Sequence, residues 1–259
     1  MISEVRLRAL AREQNSGVGL TEKDYVNSWI LRAIFTSEMK DKLVFKGGTA
    51  LSKIHFPERW RFSEDLDFTF RGNNFEELHG LRESLEETLE RVSEESGIDF
   101  TIRSFHRNPE YAQIKVQYDA ILQQKNTTNL DIFGGERIYF SVREERHSFE
   151  DIPEFKLQVY PIEEIFVEKL RSLFQRARAR DYFDLYHLIT SRNFDEEKIR
   201  EALAEKSEHM RVKLDIEKFS DQTEDVRAYW NKALDRLTSP KPDFDEVHST
   251  IRDFLKDLL

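Results

Sequence analysis

The chain has no cysteine among its 259 residues, and it has only nine glycines and six prolines. The lack of cysteine excludes disulfide bonds, thiol catalysis and sulfur-ligated metals. The seven histidines never fall at the helical spacing of a zinc site, and no apolar run reaches the roughly 18 residues of a membrane helix. A net charge of −10 argues against a general nucleic-acid coat. The N-terminus also lacks a signal-peptide layout, so we expect a cytoplasmic protein without zinc or a membrane span.

Two aspartates occupy one face of a predicted strand. Strict alternation over residues 65–70 places Asp65, Asp67 and Thr69 on one side and three apolar side chains on the other. Two carboxylates about 7 Å apart along a strand repel each other unless water or a cation lies between them. Mg²⁺ suits such a pair, since a triphosphate can supply its other oxygen ligands. The pattern predicts a metal–nucleotide site, and the alternative is the exposed face of an edge strand.

A glycine turn precedes this strand. Residues 43–46 predict a short buried strand that runs into Gly47 and Gly48, and we expect Thr49 to cap a short helix that ends near residue 54. Glycine lets the backbone approach a phosphate, and a helix N-terminus favours an anion. An ordinary turn is the alternative. The residues predicted to bind the nucleotide here are Lys46, Gly47, Gly48, Thr49, Ser52, Lys53 and Ser63.

The rest of the chain predicts an α+β fold. A long helix is expected to begin at Asn74 and to end at Gly97, and three alternating segments predict strands over 99–105, 111–122 and 129–133. From residue 161 the pattern is almost wholly helical. We therefore expect two regions, a mixed-sheet core with N-terminal helices over 1–160 and a C-terminal helical region over 161–259. The helices predicted in the second region are 161–177, 181–191, 195–206, 221–237 and 243–258.

A lysine falls on the apolar stripe of the first C-terminal helix. Lys169 is in register with Ile165, Phe166 and Leu173. Burying its ammonium is costly unless an anion compensates it, and Asp181 and Asp184 on the next helix are natural partners. The alternative is a side chain that extends to solvent at the edge of the stripe.

The chain resembles a known family at two separated blocks. The first runs Gly47-Gly-Thr-Ala-Leu-Ser-Lys53 and continues with Arg61-Phe-Ser-Glu-Asp-Leu-Asp67, and the second combines Glu168-Lys-Leu170 with Arg180-Asp-Tyr-Phe-Asp-Leu-Tyr186. Both blocks, in this order, resemble the AbiEii-type nucleotidyltransferase toxins. The resemblance covers roughly residues 43–190.

The resemblance implies a nucleotidyltransferase-like sheet and a Mg²⁺-dependent transfer of NMP from an NTP to an acceptor hydroxyl. The acceptor would be RNA, such as a tRNA 3′ end, and the protein would be the toxin of a toxin–antitoxin or phage-defence pair with an antitoxin encoded nearby. Lys169 would contact nucleotide phosphates, and Asp181 or Asp184 would orient it or the acceptor. Asp65 and Asp67 would hold the metal ion.

Enzymes of this broad fold normally use a third carboxylate on a neighbouring strand. Asp131 and Asp119 are both candidates. The resemblance favours Asp131, because the family's later strand ends near this point and is followed by an arginine, here Arg137. Two other functions stay open. One is transfer to a protein or small-molecule hydroxyl, which the acidic net charge favours slightly, and the other is a nucleotide-binding module without turnover.

Overall fold

A computed structural model describes residues 1–57, 60–72, 80–176, 178–221, 223–238 and 240–259. The chain divides into two compact units. The first comprises Met1–Glu136 and Val142–Tyr160, and the second comprises Arg137–Ser141 and Pro161–Leu259. Within the described residues, no helix has both the length and the apolar character needed to span a bilayer.

The first unit is built on a mixed sheet. Seven strands are found in its described residues, in the spatial order β3-β4-β5-β2-β1-β7-β6. The pairs β1/β7 and β2/β5 are parallel, and the other neighbours are antiparallel. The strands are β1 (Leu43–Lys46), β2 (Leu66–Phe70), β3 (Asp99–Asn108), β4 (Tyr111–Asp119), β5 (Asn126–Phe133), β6 (Arg143–Phe149) and β7 (Ile152–Val159).

The helices of the first unit include α1 (Glu4–Glu13), α2 (Val18–Phe35), α3 (Gly47–Ala50) and α4 (Leu81–Ser96). Helix α2 lies on the buried face of the sheet, where Asn27 accepts a 2.9 Å hydrogen bond from Thr128 of β5. Because side chains alternate along a strand, the neighbouring β5 residues Asn129 and Asp131 belong to the opposite face. That face carries the candidate site.

The second unit is helical within the residues described. Its helices are α5 (Ile162–Gln175), α6 (Ala179–Ser191), α7 (Glu196–His209), α8 (Ile216–Asp221), α9 (Thr223–Leu234) and α10 (Phe244–Leu258). Two of them begin with aspartate caps, since Asp195 accepts from the amide of Lys198 and Asp243 from that of Asp245. Such caps satisfy amides that have no partner inside the helix. This unit also contains a buried ammonium, that of Lys206, which donates to Glu164 and Glu168.

The α+β fold class is confirmed, and several local predictions are corrected. Thr49 does not cap the short helix, which begins two residues earlier with Lys46 at the N-cap. The helix continues as a π turn over Leu51–His55. The predicted helix start at Asn74 lies outside the described residues, whereas Gly97 does end α4, with a φ of 73°. The helix expected over 221–237 is α9, which is shorter at both ends, and the preceding α8 was not predicted.

Candidate active site

The glycine turn lies directly against the second aspartate of β2. Gly47 has a φ of +77°, and a Cβ on it would lie 2.5 Å from Asp67 Oδ2. Two features disfavour a non-glycine residue here, the left-handed backbone and the lack of space for a Cβ atom. In the sheet, Lys46 pairs with Asp67 across β1 and β2. The two sequence motifs are therefore one structural unit, in which the turn packs on a carboxylate.

The second glycine accommodates an arginine. A Cβ on Gly48 would lie 2.8 Å from the Arg61 guanidinium and 3.2 Å from Ser63 Oγ. Arg61 is only 2% exposed, and its Nη1 donates to the Phe62 carbonyl at 3.0 Å. The Thr49 hydroxyl donates to the Asp65 carbonyl. The turn thus contacts the carboxylate-bearing segment at three consecutive positions.

The Asp65 carboxylate is oriented by the neighbouring strand. Its Oδ1 accepts a 2.9 Å hydrogen bond from Asn129 Nδ2 on β5. Asp67 is paired in register with Asp131 on the same strand. Because Asn129 and Asp131 are two residues apart, they share a face, and the carboxylates of Asp65, Asp67 and Asp131 belong to that face.

Asp131 is held by two side chains of β4. Its Oδ1 accepts from the Tyr111 hydroxyl and, at 3.0 Å, from Gln113 Nε2. Burial, followed by the Asp131 hydrogen bond, raises the pKa of Tyr111 above its ordinary value, so the phenol stays a neutral donor. Asp119 pairs with Asp99 between β3 and β4, strands that do not adjoin β2. The register favours Asp131 as the third carboxylate, and its role stays a prediction.

These carboxylates do not form a complete metal site by themselves. In the part of the chain that the structure describes, no group of three or more His, Asp or Glu side chains is arranged to hold a metal ion. The oxygen donors of Asp65 and Asp67 suit a hard cation such as Mg²⁺, which retains several water or substrate ligands. The chemistry of the donor set therefore fits a shared protein–substrate metal site, with two protein carboxylates.

Lys46 is buried beside a carboxylate that the sequence patterns did not single out. Its ammonium forms an ion pair with Glu136 and lies 4.5 Å from the centre of the Phe133 ring. Glu136 also accepts a 2.7 Å hydrogen bond from the Thr69 hydroxyl. A triphosphate at Lys46 would compete with Glu136, and nucleotide binding by Lys46 stays a prediction.

Ser52 and Lys53 are engaged within the turn and with α2. The Ser52 hydroxyl donates to the Thr49 carbonyl at 3.1 Å. Lys53 Nζ lies 2.6 Å from Asp24 Oδ1, in a buried cluster that includes Ser28 and His147. These contacts favour a structural role for Lys53 over the predicted nucleotide-binding role.

In the second unit, Lys169 lies between the two aspartates proposed as its partners. Its Nζ is 2.6 Å from Asp181 Oδ1 and 3.0 Å from Asp184 Oδ2, and the three side chains are 12%, 3% and 0% exposed. Arg176 Nε lies 3.4 Å from the other Asp181 oxygen. The expected pairing is confirmed, so the alternative of a lysine that extends to solvent is wrong. The catalytic role of these residues stays a prediction.

Sequence reasoning missed Asn129, Tyr111 and Gln113, the side chains that orient the acidic ones. Alternation could have identified them. Asn129 lies two residues from Asp131, and Tyr111 lies two residues from Gln113, so each pair shares one face of its strand. Glu136 follows β5 and carries no such pattern.

A first prediction concerns the space at Gly47. Gly47→Ala would place a methyl group on Asp67 and displace its carboxylate, so we expect any catalytic activity of this site to fall about 100-fold, as for a misplacement of about 1 Å in an active site. Gly97→Ala is the matched control, because Gly97 has a φ of +73° and its nearest neighbour would be an ordinary 3.6 Å contact. Both variants lose about 1 kcal/mol from the strained backbone. Equal activity of the Gly47→Ala and Gly97→Ala variants would show that the site does not need the space beside Gly47.

A second prediction concerns Lys169. Lys169→Ala removes the buried cation shared by Asp181 and Asp184 and leaves only the half-exposed Arg176 near Asp181. We expect the free energy of unfolding to drop by about 3–5 kcal/mol in urea titrations. Lys198→Ala is the control, because Lys198 pairs with Asp195 but is 65% exposed, and it should cost less than about 1 kcal/mol. A Lys169 variant as stable as this control would show that the ion pairs contribute little.

A third prediction concerns acid sensitivity. Burial, followed by the charge of Lys53, lowers the pKa of His147 from 6.5 to about 3. The unfolded chain then binds one more proton than the folded chain as the pH falls from 6.5 toward 3. The contribution of His147 to the free energy of unfolding is therefore fully present above pH 6.5. It is lost as the pH falls below 6.5, by up to about 1.4 kcal/mol per pH unit.

His147→Gln removes this proton, so the stability of the variant should fall less steeply over the same range. Denaturant titrations of both proteins at several pH values measure the difference. Parallel pH profiles would contradict a buried neutral histidine.

Comparison with known proteins identifies the family and the fold. The family model described as the nucleotidyl transferase AbiEii toxin of type IV toxin–antitoxin systems matches residues 29–250. A comparison with curated proteins finds no match. Among solved structures, MenT4, a nucleotidyltransferase toxin from Mycobacterium tuberculosis H37Rv, is 19% identical with a TM-score of 0.65, over 99% of this chain and 90% of that chain. At this identity the likeness shows a shared fold.

Proposed function

We propose, from the premise that the chain belongs to the AbiEii family of nucleotidyltransferase toxins, that it transfers NMP from an NTP to a hydroxyl of RNA, at a tRNA 3′ end. The observation that carries the proposal is the packing of the Gly47 turn against the Asp67 carboxylate. It joins a phosphate-sized backbone turn to a carboxylate that we propose binds the metal ion. Type IV membership implies an antitoxin partner, and we propose that it is encoded nearby.

Asp65 and Asp67 would hold Mg²⁺ together with the triphosphate. Asn129 fixes one Asp65 oxygen at 2.9 Å, and the other oxygen of that carboxylate would bind the ion. When bound, the ion neutralises phosphate charge and polarises the α-phosphate. The amides of the glycine turn would bind phosphate oxygens, since they belong to the start of a helical segment.

Asp131 would receive the proton of the attacking hydroxyl. It lies beside Asp67 in the sheet and is held by Tyr111 and Gln113. The acceptor oxygen bonds to the α-phosphorus, the bond to the bridging oxygen breaks, and pyrophosphate leaves. Positioning and charge neutralisation would supply most of the rate, as in other phosphoryl transfers.

Lys169 would contribute positive charge to the phosphates. Asp181 and Asp184 pair with its ammonium, and either of them would orient it or the acceptor.

A transfer assay tests the proposed reaction. We expect purified protein, labelled NTP and Mg²⁺ to label total RNA with release of pyrophosphate, and Asp67→Asn to reduce the rate about 100- to 1,000-fold, the usual cost of one electrostatic group. Glu90→Gln is the control, because it removes one negative charge from an exposed side chain on α4 of the same unit. Induced expression should arrest growth with the wild type and not with Asp67→Asn.

The outcomes separate the candidate functions. If the label appeared in protein or in a small molecule and not in RNA, that molecule would be the acceptor instead of RNA. NTP binding without release of pyrophosphate would identify a nucleotide-binding module. Transfer that is unaffected by chelation of divalent cations would contradict the metal role of Asp65 and Asp67.

A further inference from the structure

We propose that Lys53 is a positioning residue, which anchors the glycine turn to helix α2 and does not bind phosphate. This inference rests on the proposed function, because its consequence is for nucleotidyl transfer. Lys53 lies in the π turn that directly follows α3, so it is covalently close to Gly47 and Gly48. Its side chain is only 3% exposed.

The Lys53 ammonium already has three protein acceptors. They are Asp24 Oδ1 at 2.6 Å, the Asp24 carbonyl at 2.8 Å and Ser28 Oγ at 2.8 Å. An ammonium has three N–H donors and no acceptor, so these contacts fill its hydrogen-bonding capacity. A phosphate oxygen would have to displace one of them.

The surroundings of this group suit a fixed cation. The Phe149 ring lies 5.4 Å from Lys53 Nζ, a distance at which a ring face stabilises a cation. His147 Nε2 lies 3.2 Å from Ser28 Oγ, and the lowered pKa of His147 keeps its imidazole neutral beside the lysine. The cluster therefore holds one cation and one anion, Lys53 and Asp24, with neutral side chains around them.

The anchor acts on the site through the backbone. The Leu51 amide donates to the Gly47 carbonyl, and the Phe56 amide donates to the Leu51 carbonyl. A shift at Lys53 would therefore move the turn, and with it the Gly47 backbone that packs on Asp67. Helix α2, which supplies Asp24 and Ser28, is the fixed support.

The two roles predict different effects of one substitution. If Lys53 bound phosphate, Asp24→Asn would remove a competing anion, tighten NTP binding and leave kcat unchanged. If Lys53 is an anchor, Asp24→Asn removes half of the ion pair and should lower kcat, as Lys53→Met does. We expect each variant to lose about 100-fold in kcat through misplacement of the turn, with less than a threefold change in KM for NTP.

A double-mutant cycle tests the anchor. We expect the variant with both Lys53→Met and Asp24→Asn to be no slower than either single variant, because the same contact is lost. Lys53→Arg should recover part of the rate by keeping a cation opposite Asp24. Lys40→Met is the control, because Lys40 is exposed outside the cluster, and it should leave the rate unchanged.

A second measurement does not depend on turnover. Hydrogen exchange of the Leu51 amide reports opening of the turn, and we expect exchange at least about tenfold faster in Asp24→Asn than in the wild type or Lys40→Met, since a tenfold change corresponds to ~1.4 kcal/mol of local stability. Unchanged exchange, or tighter NTP binding in Asp24→Asn, would overturn the proposal. If the wild type transfers no nucleotide, the proposed function fails, and the exchange result still decides whether Lys53 anchors the turn.

Discussion

The contact between the Gly47 backbone and the Asp67 carboxylate is the constraint on which the site depends. The carboxylate occupies the space of a side chain at residue 47, so the turn and β2 must be built together. Pairing of β1 with β2 in register delivers Asp67 to that place. The parallel partner β5 then brings Asn129 and Asp131 to the same face. A shift of one residue in either pairing would move these carboxylates to the buried face of the sheet.

Local patterns predicted the parts of the site, and long-range pairing determined their neighbours. Alternation over 65–70 was enough to place β2, and the glycines were enough to place the turn. The partners of Asp65 and Asp131 depend on strand register, which joins residues distant in sequence and is not encoded in either segment alone. For Lys53, sequence motifs suggested a ligand, but the acceptors that hold it come from α2, 29 and 25 residues away in the sequence.

Buried lysines with carboxylate partners recur in both units of this acidic chain. Lys46 pairs with Glu136, Lys53 with Asp24, Lys169 with Asp181 and Asp184, and Lys206 with Glu164 and Glu168. Each pair compensates a charge that would be costly to bury alone. The same pairing means that a triphosphate reaching Lys46 meets a cation already shared with a carboxylate. Neutralisation of the incoming phosphates would then depend strongly on a divalent ion.

Binding of metal and nucleotide should therefore be mutually dependent, because two protein carboxylates supply only part of a metal coordination shell. Isothermal titration calorimetry of the wild-type protein with a non-hydrolysable NTP, with and without Mg²⁺, measures this coupling directly. We predict that the nucleotide binds at least about tenfold more tightly with Mg²⁺, a coupling of ~1.4 kcal/mol, and that Asp67→Asn abolishes the difference. Equal affinity with and without the ion, or tight Mg²⁺ binding in the absence of nucleotide, would contradict a site shared between Asp65, Asp67 and a triphosphate.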